Sequence, residues 1–393
     1  MESCVNIMHS DGTKTNKRLL IVSCGFIFFI GVESGALHFT LLSVTDEFSL
    51  RGAMIGVLLA IQYFALFVAQ PVFGYIADRV GKKRIIYVSI CMFIVGCTLM
   101  AIASVVSVLI IGMFLAGMGY GATASLICAS LVDEFFDKAE RYTNFTNSLF
   151  CLGAVVGPLI ASWVSSFANI RYVFLFTAAG FLALLPLFAS TTLKQRNNVQ
   201  DKASPRFRGR AIIPFAILAV SIFFYGGIET SAAGYFNSLL TQALSTPEFG
   251  AYSISLFWLA MMVSRILFAL LRLSAKWVVF CSMISCAIVF AIMSLSFSPV
   301  LSLVLCALAG ASCGPIWAVL VSFAAKEYPA FSGTVVALMS ASSGLGAALM
   351  PIAVGWSVDR YSLHFAMFLI GLMMVLCVLA YAVHLRRDYL KKQ

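Results

Sequence analysis

Leu152-Gly153-Ala154-Val155-Val156-Gly157-Pro158-Leu159-Ile160-Ala161-Ser162-Trp163 returns later in the chain as Leu345-Gly346-Ala347-Ala348-Leu349-Met350-Pro351-Ile352-Ala353-Val354-Gly355-Trp356. The spacing, Gly153 to Gly346, is 193 residues. Gly117 and Gly121 return as Gly310 and Gly314 at the same spacing. Gly31-Val32-Glu33-Ser34 returns as Gly227-Ile228-Glu229-Thr230 at 196. Spacings that agree to within three residues across three separate segments mark a duplication of half the chain.

Both copies are apolar. Of the residues, 61% are hydrophobic and 11% charged, whereas a soluble domain has roughly 45–50% and 25%. Apolar runs of about 18 residues or more read as membrane helices. Twelve are predicted: 19–43, 53–77, 84–104, 105–132, 144–166, 170–190, 211–240, 250–272, 276–297, 299–325, 333–357 and 362–385. The third and fourth are divided only at Ala103-Ser104. Six helices per copy is an even number, so both copies insert the same way round. The fold class is therefore all-α membrane protein, with twelve transmembrane helices in two parallel six-helix repeats. The halves are 1–190 and 211–393, joined by a polar, basic linker at 191–210.

The net charge of +10 follows the loops and gives no sign of a nucleic-acid partner. With the termini on one side, 22 of the 26 Lys and Arg fall on that side; Arg51, Arg171 and Arg360 fall opposite, and Arg265 lies within a helix. Positive loops stay inside. The expectation is a multi-pass protein of the cell membrane with both termini cytoplasmic, working as a monomer in the bilayer. The eleven cysteines form no CxxC pair and the four histidines are scattered, so no disulfide framework or metal site is expected. No phosphate-binding Gly-x-x-x-x-Gly-Lys-Ser/Thr loop is present. An enzyme is not expected, nor any cofactor; energy would come from a proton or other ion gradient.

After the second helix stands Gly74-Tyr75-Ile76-Ala77-Asp78-Arg79-Val80-Gly81-Lys82-Lys83-Arg84. It resembles the signature loop of the major facilitator superfamily, Gly-x-x-x-Asp-Arg-x-Gly-Arg/Lys-Arg/Lys, at every defined position. The resemblance implies alternating access to a small-molecule substrate. It also implies a conformational latch at Asp78 and Arg79, with Gly74 allowing close helix approach and Gly81 a tight turn. Gly153, Gly157 and Pro158 are similar to a helix-5 motif of drug–proton antiporters. That pattern also packs membrane helices generally, and Pro158 and Pro351 are expected to bend their helices. Met113 stands where many proton-coupled relatives have arginine, which argues against a simple transfer of the antiporter mechanism. Short segments around Tyr225–Glu229, Phe257–Arg265 and Arg141–Asn144 look like the fucose-permease branch, which is mostly proton-linked sugar uptake.

Three charges lie deep in apolar helices: Glu33, Glu229 and Arg265. An ionised group at mid-bilayer costs about 2.5–3.5 kcal/mol on insertion scales, so the default reading is a functional site. Carboxylates lining a cavity whose hydration alternates can load and release a proton. Arg265 reads either as a substrate contact or as an ion-pair partner for Glu229. Trp258, two turns earlier, offers an aromatic plane, and Tyr63 and Gln70 occupy the corresponding positions of helix 2. An aromatic plane beside bidentate groups suits a sugar ring or a carboxylated solute. Asn147 and Trp317 are further cavity candidates, and Gln62 and Asn237 read as polar groups that could equally be helix glue. His38 reads as a packing or interfacial histidine, although histidine can also shuttle protons. Asp133 and Glu134 are expected to bridge to basic loops and hold the outward-open form. The leading expectation is a proton-coupled carrier for a sugar or related polar solute; the alternative is an efflux carrier for amphipathic compounds.

Overall fold

The computed structural model describes residues 17–51, 53–135, 139–193, 212–271, 274–327 and 332–390. Twelve helices are long and apolar enough to cross a membrane, each overlapping its predicted span. They are called spans 1 to 12 here. The break between spans 3 and 4 falls between Ile102 and Val106, where predicted. The linker 191–210 lies outside the described residues beyond 193.

The duplicated glycines explain the packing. Span 1 (Lys17–Glu47) lies along span 5 (Ala139–Ser165), and span 7 (Ile212–Ser238) along span 11 (Ser332–Arg360). A methyl group at Gly153 would overlap the Phe28 carbonyl, and one at its copy Gly346 would overlap the Phe223 carbonyl. Only glycine allows backbones this close. Spans 5 and 11 run as single helices through Pro158 and Pro351. Span 10 is interrupted: Pro299–Cys313 and Ile316–Glu327 are separate helices, parted at Gly314-Pro315.

An even number of spans leaves Lys17 and Leu390 on one face, the terminal face. The halves meet through spans 2 and 11 and through spans 5 and 8, and three of the bonds between them lie towards the opposite face. There the Ala53 amide, at the start of span 2 (Ala53–Val80), donates to Asp359 Oδ1 at 3.0 Å, a carboxylate at a helix N-terminus where the dipole favours it. Asn237 Nδ2 donates to the Phe39 carbonyl at 2.8 Å, and Ser255 Oγ to the Val155 carbonyl at 2.8 Å. Towards the terminal face, a Cβ at Gly74 of span 2 would touch nothing within 4 Å. This is the conformation closed at the opposite face.

That state decides what the signature loop does here. Gly81 has φ 104 and separates spans 2 and 3, a conformation suited to glycine. The Asp78 side chain lies outside the described residues. Arg79 stacks on Tyr75 of its own helix at 4.2 Å. Asp133 is ion-paired with Lys82, but both belong to the first half. The bridge from Asp133 to the basic loop is the one expected, and it ties spans 3 and 4 within that half. Lys83 Nζ donates to the Ala189 and Thr191 carbonyls at 2.8 and 2.6 Å, capping span 6.

Arg171 was placed on the opposite-face loops, and it is buried there. Nη2 donates to Glu47 Oε1 at 2.7 Å and Nη1 to the Ala103 carbonyl at 2.6 Å, so it ties the ends of spans 1 and 3 to the start of span 6. Arg171→Ala should destabilise the detergent-solubilised protein by roughly 1.5–3 kcal/mol, the worth of one hydrogen bond to a charged group. Thermal unfolding of purified wild type and variant checks this, and an unchanged midpoint would show that the tie contributes nothing.

Candidate functional site

The two deep carboxylates sit differently although their sequences are copies. Glu33 is fully buried in span 1. Gln62 Nε2 of span 2 donates to its Oε1 at 2.9 Å, while Oε2 has no partner among the described residues. The sequence showed no evident partner for Glu33; the structure supplies Gln62. Glu229, in span 7, is half-buried, with the Tyr225 hydroxyl and the charge of Arg265 as its polar surroundings.

Arg265 does not form the ion pair that was one of its two readings. The ion pairs shown among the described residues are Lys82–Asp133 and Arg171–Glu47. The guanidinium instead donates Nε–H to the Gly314 carbonyl at 2.9 Å and Nη1–H to Cys151 Sγ at 3.4 Å. The Tyr225 hydroxyl donates to the neighbouring Cys313 carbonyl at 3.2 Å. The break in span 10 therefore turns carbonyls towards spans 7 and 8, the use to which irregular backbone at membrane depth is put.

Trp258 is 4% exposed, and its indole Nε1–H has no partner among the described residues. Its ring lies edge-on to Phe150 of span 5, centroids 5.7 Å apart, and Tyr120 of span 4 lies 6.3 Å beyond Phe150. Trp258 and Arg265, seven residues apart, both reach span 5 at the adjacent residues Phe150 and Cys151. The tertiary structure thus brings the aromatic plane and the guanidinium together across the two halves. The Tyr63 hydroxyl lies beside Ser34 and Thr230, the equivalent residues that follow the two glutamates, and joins the clusters.

The remaining predicted residues are not drawn in. Gln70 is half-buried and Asn147 exposed, and among the described residues neither is hydrogen-bonded to the cluster. Trp317, half-buried, packs against the hydrophobic core in the second segment of span 10. Gln62, Tyr120 and Tyr225 were not among the predicted site residues. Tyr120 lies among Gly117, Gly119 and Gly121, a run that reads as packing surface, and only the crossing of spans 4 and 5 places its ring beside Phe150.

The arrangement offers a hydrogen-bonding indole, aromatic rings, a guanidinium, hydroxyls and two carboxylates in different surroundings, at the seam of two repeats. A family model described as "Major Facilitator Superfamily" matches residues 21–226 and again 218–393. The chain belongs to the Major Facilitator Superfamily. It is a multi-pass membrane transporter of small molecules and not an enzyme. Among curated relatives, the glucose/mannose transporter GlcP of Bacillus subtilis is 24% identical over 389 residues, 92% of this chain and 94% of that protein. The class E tetracycline resistance protein of Escherichia coli is 29% identical over 150 residues, 37% of this chain and 36% of the relative. Among solved structures, a D-xylose–proton symporter superposes with a TM-score of 0.80 at 13% identity, covering 94% of this chain and 97% of that one. The nucleoside transporter NupG gives 0.78 at 15% identity, covering 94% and 100%. At such identities the superpositions show the major facilitator fold alone.

Proposed function

We propose that this transporter carries a sugar or related polar solute together with a proton, drawing on the proton gradient. The observation that carries the reading is the central cluster: a buried carboxylate, Glu33, whose Oε2 has no partner among the described residues, with Tyr120 lying near both it and the Phe150 ring that meets Trp258 beside Arg265. Burial at membrane depth disfavours a charged carboxylate and hydration favours it. A glutamate exposed first to one face and then to the other therefore takes up and yields a proton with each turnover. The full-length similarity to a glucose/mannose transporter supports a sugar as cargo. The positive loops make the terminal face cytoplasmic, so a structure closed at the opposite face is inward-open in this reading. The protein acts as a monomer in the plasma membrane, with no bound cofactor.

A second reading, proton-driven export of amphipathic compounds, is favoured by the partial similarity to tetracycline resistance proteins and by the aromatic walls.

The test is solute-evoked proton movement. Cells making the protein are held in weak buffer while glucose, mannose, other sugars, organic acids and cationic drugs are added in turn. Alkalinisation by a sugar, lost in Arg265→Ala and Trp258→Ala, is the expected result. Drug accumulation that rises when the gradient is collapsed, with no solute moving protons inward, would replace import by export.

A further inference from the structure

His38 is buried without a partner. It is 1% exposed in span 1, and neither ring nitrogen is hydrogen-bonded among the described residues. The Ser34 carbonyl, one turn back, approaches the ring without hydrogen-bond geometry. A packing histidine would commit at least one nitrogen to a neighbour, because buried polar atoms are normally satisfied. The expectation of a satisfied packing histidine is thus corrected.

Its surroundings give the unpartnered ring a direction. Span 2 presents the Tyr63 ring, 6.4 Å away between centroids. Span 7 presents Gly234, where an added methyl group would lie 4.0 Å from the His38 ring and would crowd Leu59 at 2.6 Å. Ser231 and Ser238 flank Gly234 at helical spacing, and both hydroxyls are also buried without partners. Ser238 lines a cavity of about 200 Å³ on the opposite face, together with Thr45, Asp46, Gln242 and Asp359. On the other side of His38 lies Glu33 Oε2, also unpartnered. Unpartnered polar atoms thus extend from the deep carboxylate, past the imidazole, to a polar cavity. His38, Ser231 and Ser238 lie on the seam of spans 1 and 7, closed here by the bond from Asn237 to the Phe39 carbonyl, while Glu33 points about 140° round span 1 towards Gln62 of span 2.

We propose that His38 is the proton relay between Glu33 and the opposite-face cavity. This rests on the proton-coupled reading above. The helical rise puts Glu33 and His38 about 7–8 Å apart along the axis, too far for direct transfer and bridged by water when the seam opens. A proton from the cavity binds one ring nitrogen. The proton on the other nitrogen passes through water to the Glu33 carboxylate, and the imidazole is left neutral in its other tautomer. The titratable groups around this path are Glu33 on the same helix, Tyr63 on span 2, and Glu229 and Tyr235 on span 7, with Asp46 and Asp359 at the cavity. His38 is a positioning and relay residue and touches no solute in this scheme.

His38→Gln keeps the volume and a polar amide but cannot pass a proton through. Two rates are compared with wild type, using the panel solute that alkalinises the medium, glucose and mannose first. One is proton-driven accumulation. The other is exchange of labelled for unlabelled solute at equal pH, which needs no net proton movement. Accumulation is expected to fall at least about a hundredfold, the low end of what a positioned proton-transfer group contributes, with exchange unchanged. Accumulation that persists, or that falls together with exchange, overturns the relay and leaves the proton-coupled reading standing. A wild type that moves no protons with any solute overturns both. If His38→Gln does not reach the membrane, the double variant Ser231→Ala/Ser238→Ala removes only hydroxyls and is read by the same ratio. A lowered ratio of accumulation to exchange supports the relay, and an unchanged one overturns it.

Discussion

Glu33→Gln abolishes accumulation against a gradient and spares exchange: this is the expected result with the largest effect on activity. The amide matches the carboxylate in shape, and its oxygen still accepts from Gln62 Nε2, which holds Glu33 Oε1 at 2.9 Å. The surrounding wall is therefore kept while the proton site is lost. Loss of a positioned proton-transfer group costs about 10²–10⁴ in rate, so coupled uptake falls to background. Removing a buried ionisable group does not cost folding energy by itself. The thermal midpoint of the purified variant should match or exceed that of wild type. Glu229→Gln is the informative comparison, because Glu229 lies half-buried near Tyr225 and Arg265. Accumulation by Glu33→Gln at the wild-type level would remove Glu33 from the proton path.

The second large effect falls on folding. Gly153→Val should leave little folded protein in the membrane, and Gly346→Val should do the same in the second half. A Cβ at Gly153 would meet the backbone of Phe28, Gly31 and Val32, and one at Gly346 the backbone of Phe223. Backbone cannot rotate aside as a side chain can. Overpacking of this kind costs typically about 1–3 kcal/mol and occasionally more. The cost here falls at the upper end, because two helices must separate along their contact. Gly74→Ala is the control: nothing lies within 4 Å of the added methyl group in this conformation. Its yield and thermal midpoint should match wild type. Normal folding of Gly153→Val would show that spans 1 and 5 can repack, contrary to the tight contact.

Much of the site was legible because charge in a membrane is expensive. Glu33, Glu229 and Arg265 stood out from apolar runs with no knowledge of their neighbours, and the duplication named the two glutamates as copies. Duplication also misled. Copies in sequence suggest equal roles, yet Glu33 is fully buried on Gln62 and Glu229 shares its surroundings with Tyr225 and Arg265. The difference comes from spans 2 and 8, where Gln62 has no counterpart because that repeat has drifted. The proposed Glu229–Arg265 pair failed for a reason no spacing could give: the carbonyl at Gly314, next to a helix break, lay nearer to the guanidinium.

The sequence by itself determined the twelve spans, their parallel halves, the excess of positive charge on one face and the glycines at which helices touch. Each depends on periodicity, length or the cost of a charge in lipid, which are local properties of the chain. Only the tertiary structure decided that the halves close at the opposite face, that Trp258 and Arg265 converge on Phe150 and Cys151, and that His38 faces span 7 without a partner. Those facts depend on how helices more than a hundred residues apart cross one another. Crossings are set by the fit of whole surfaces, and no single stretch of sequence records them.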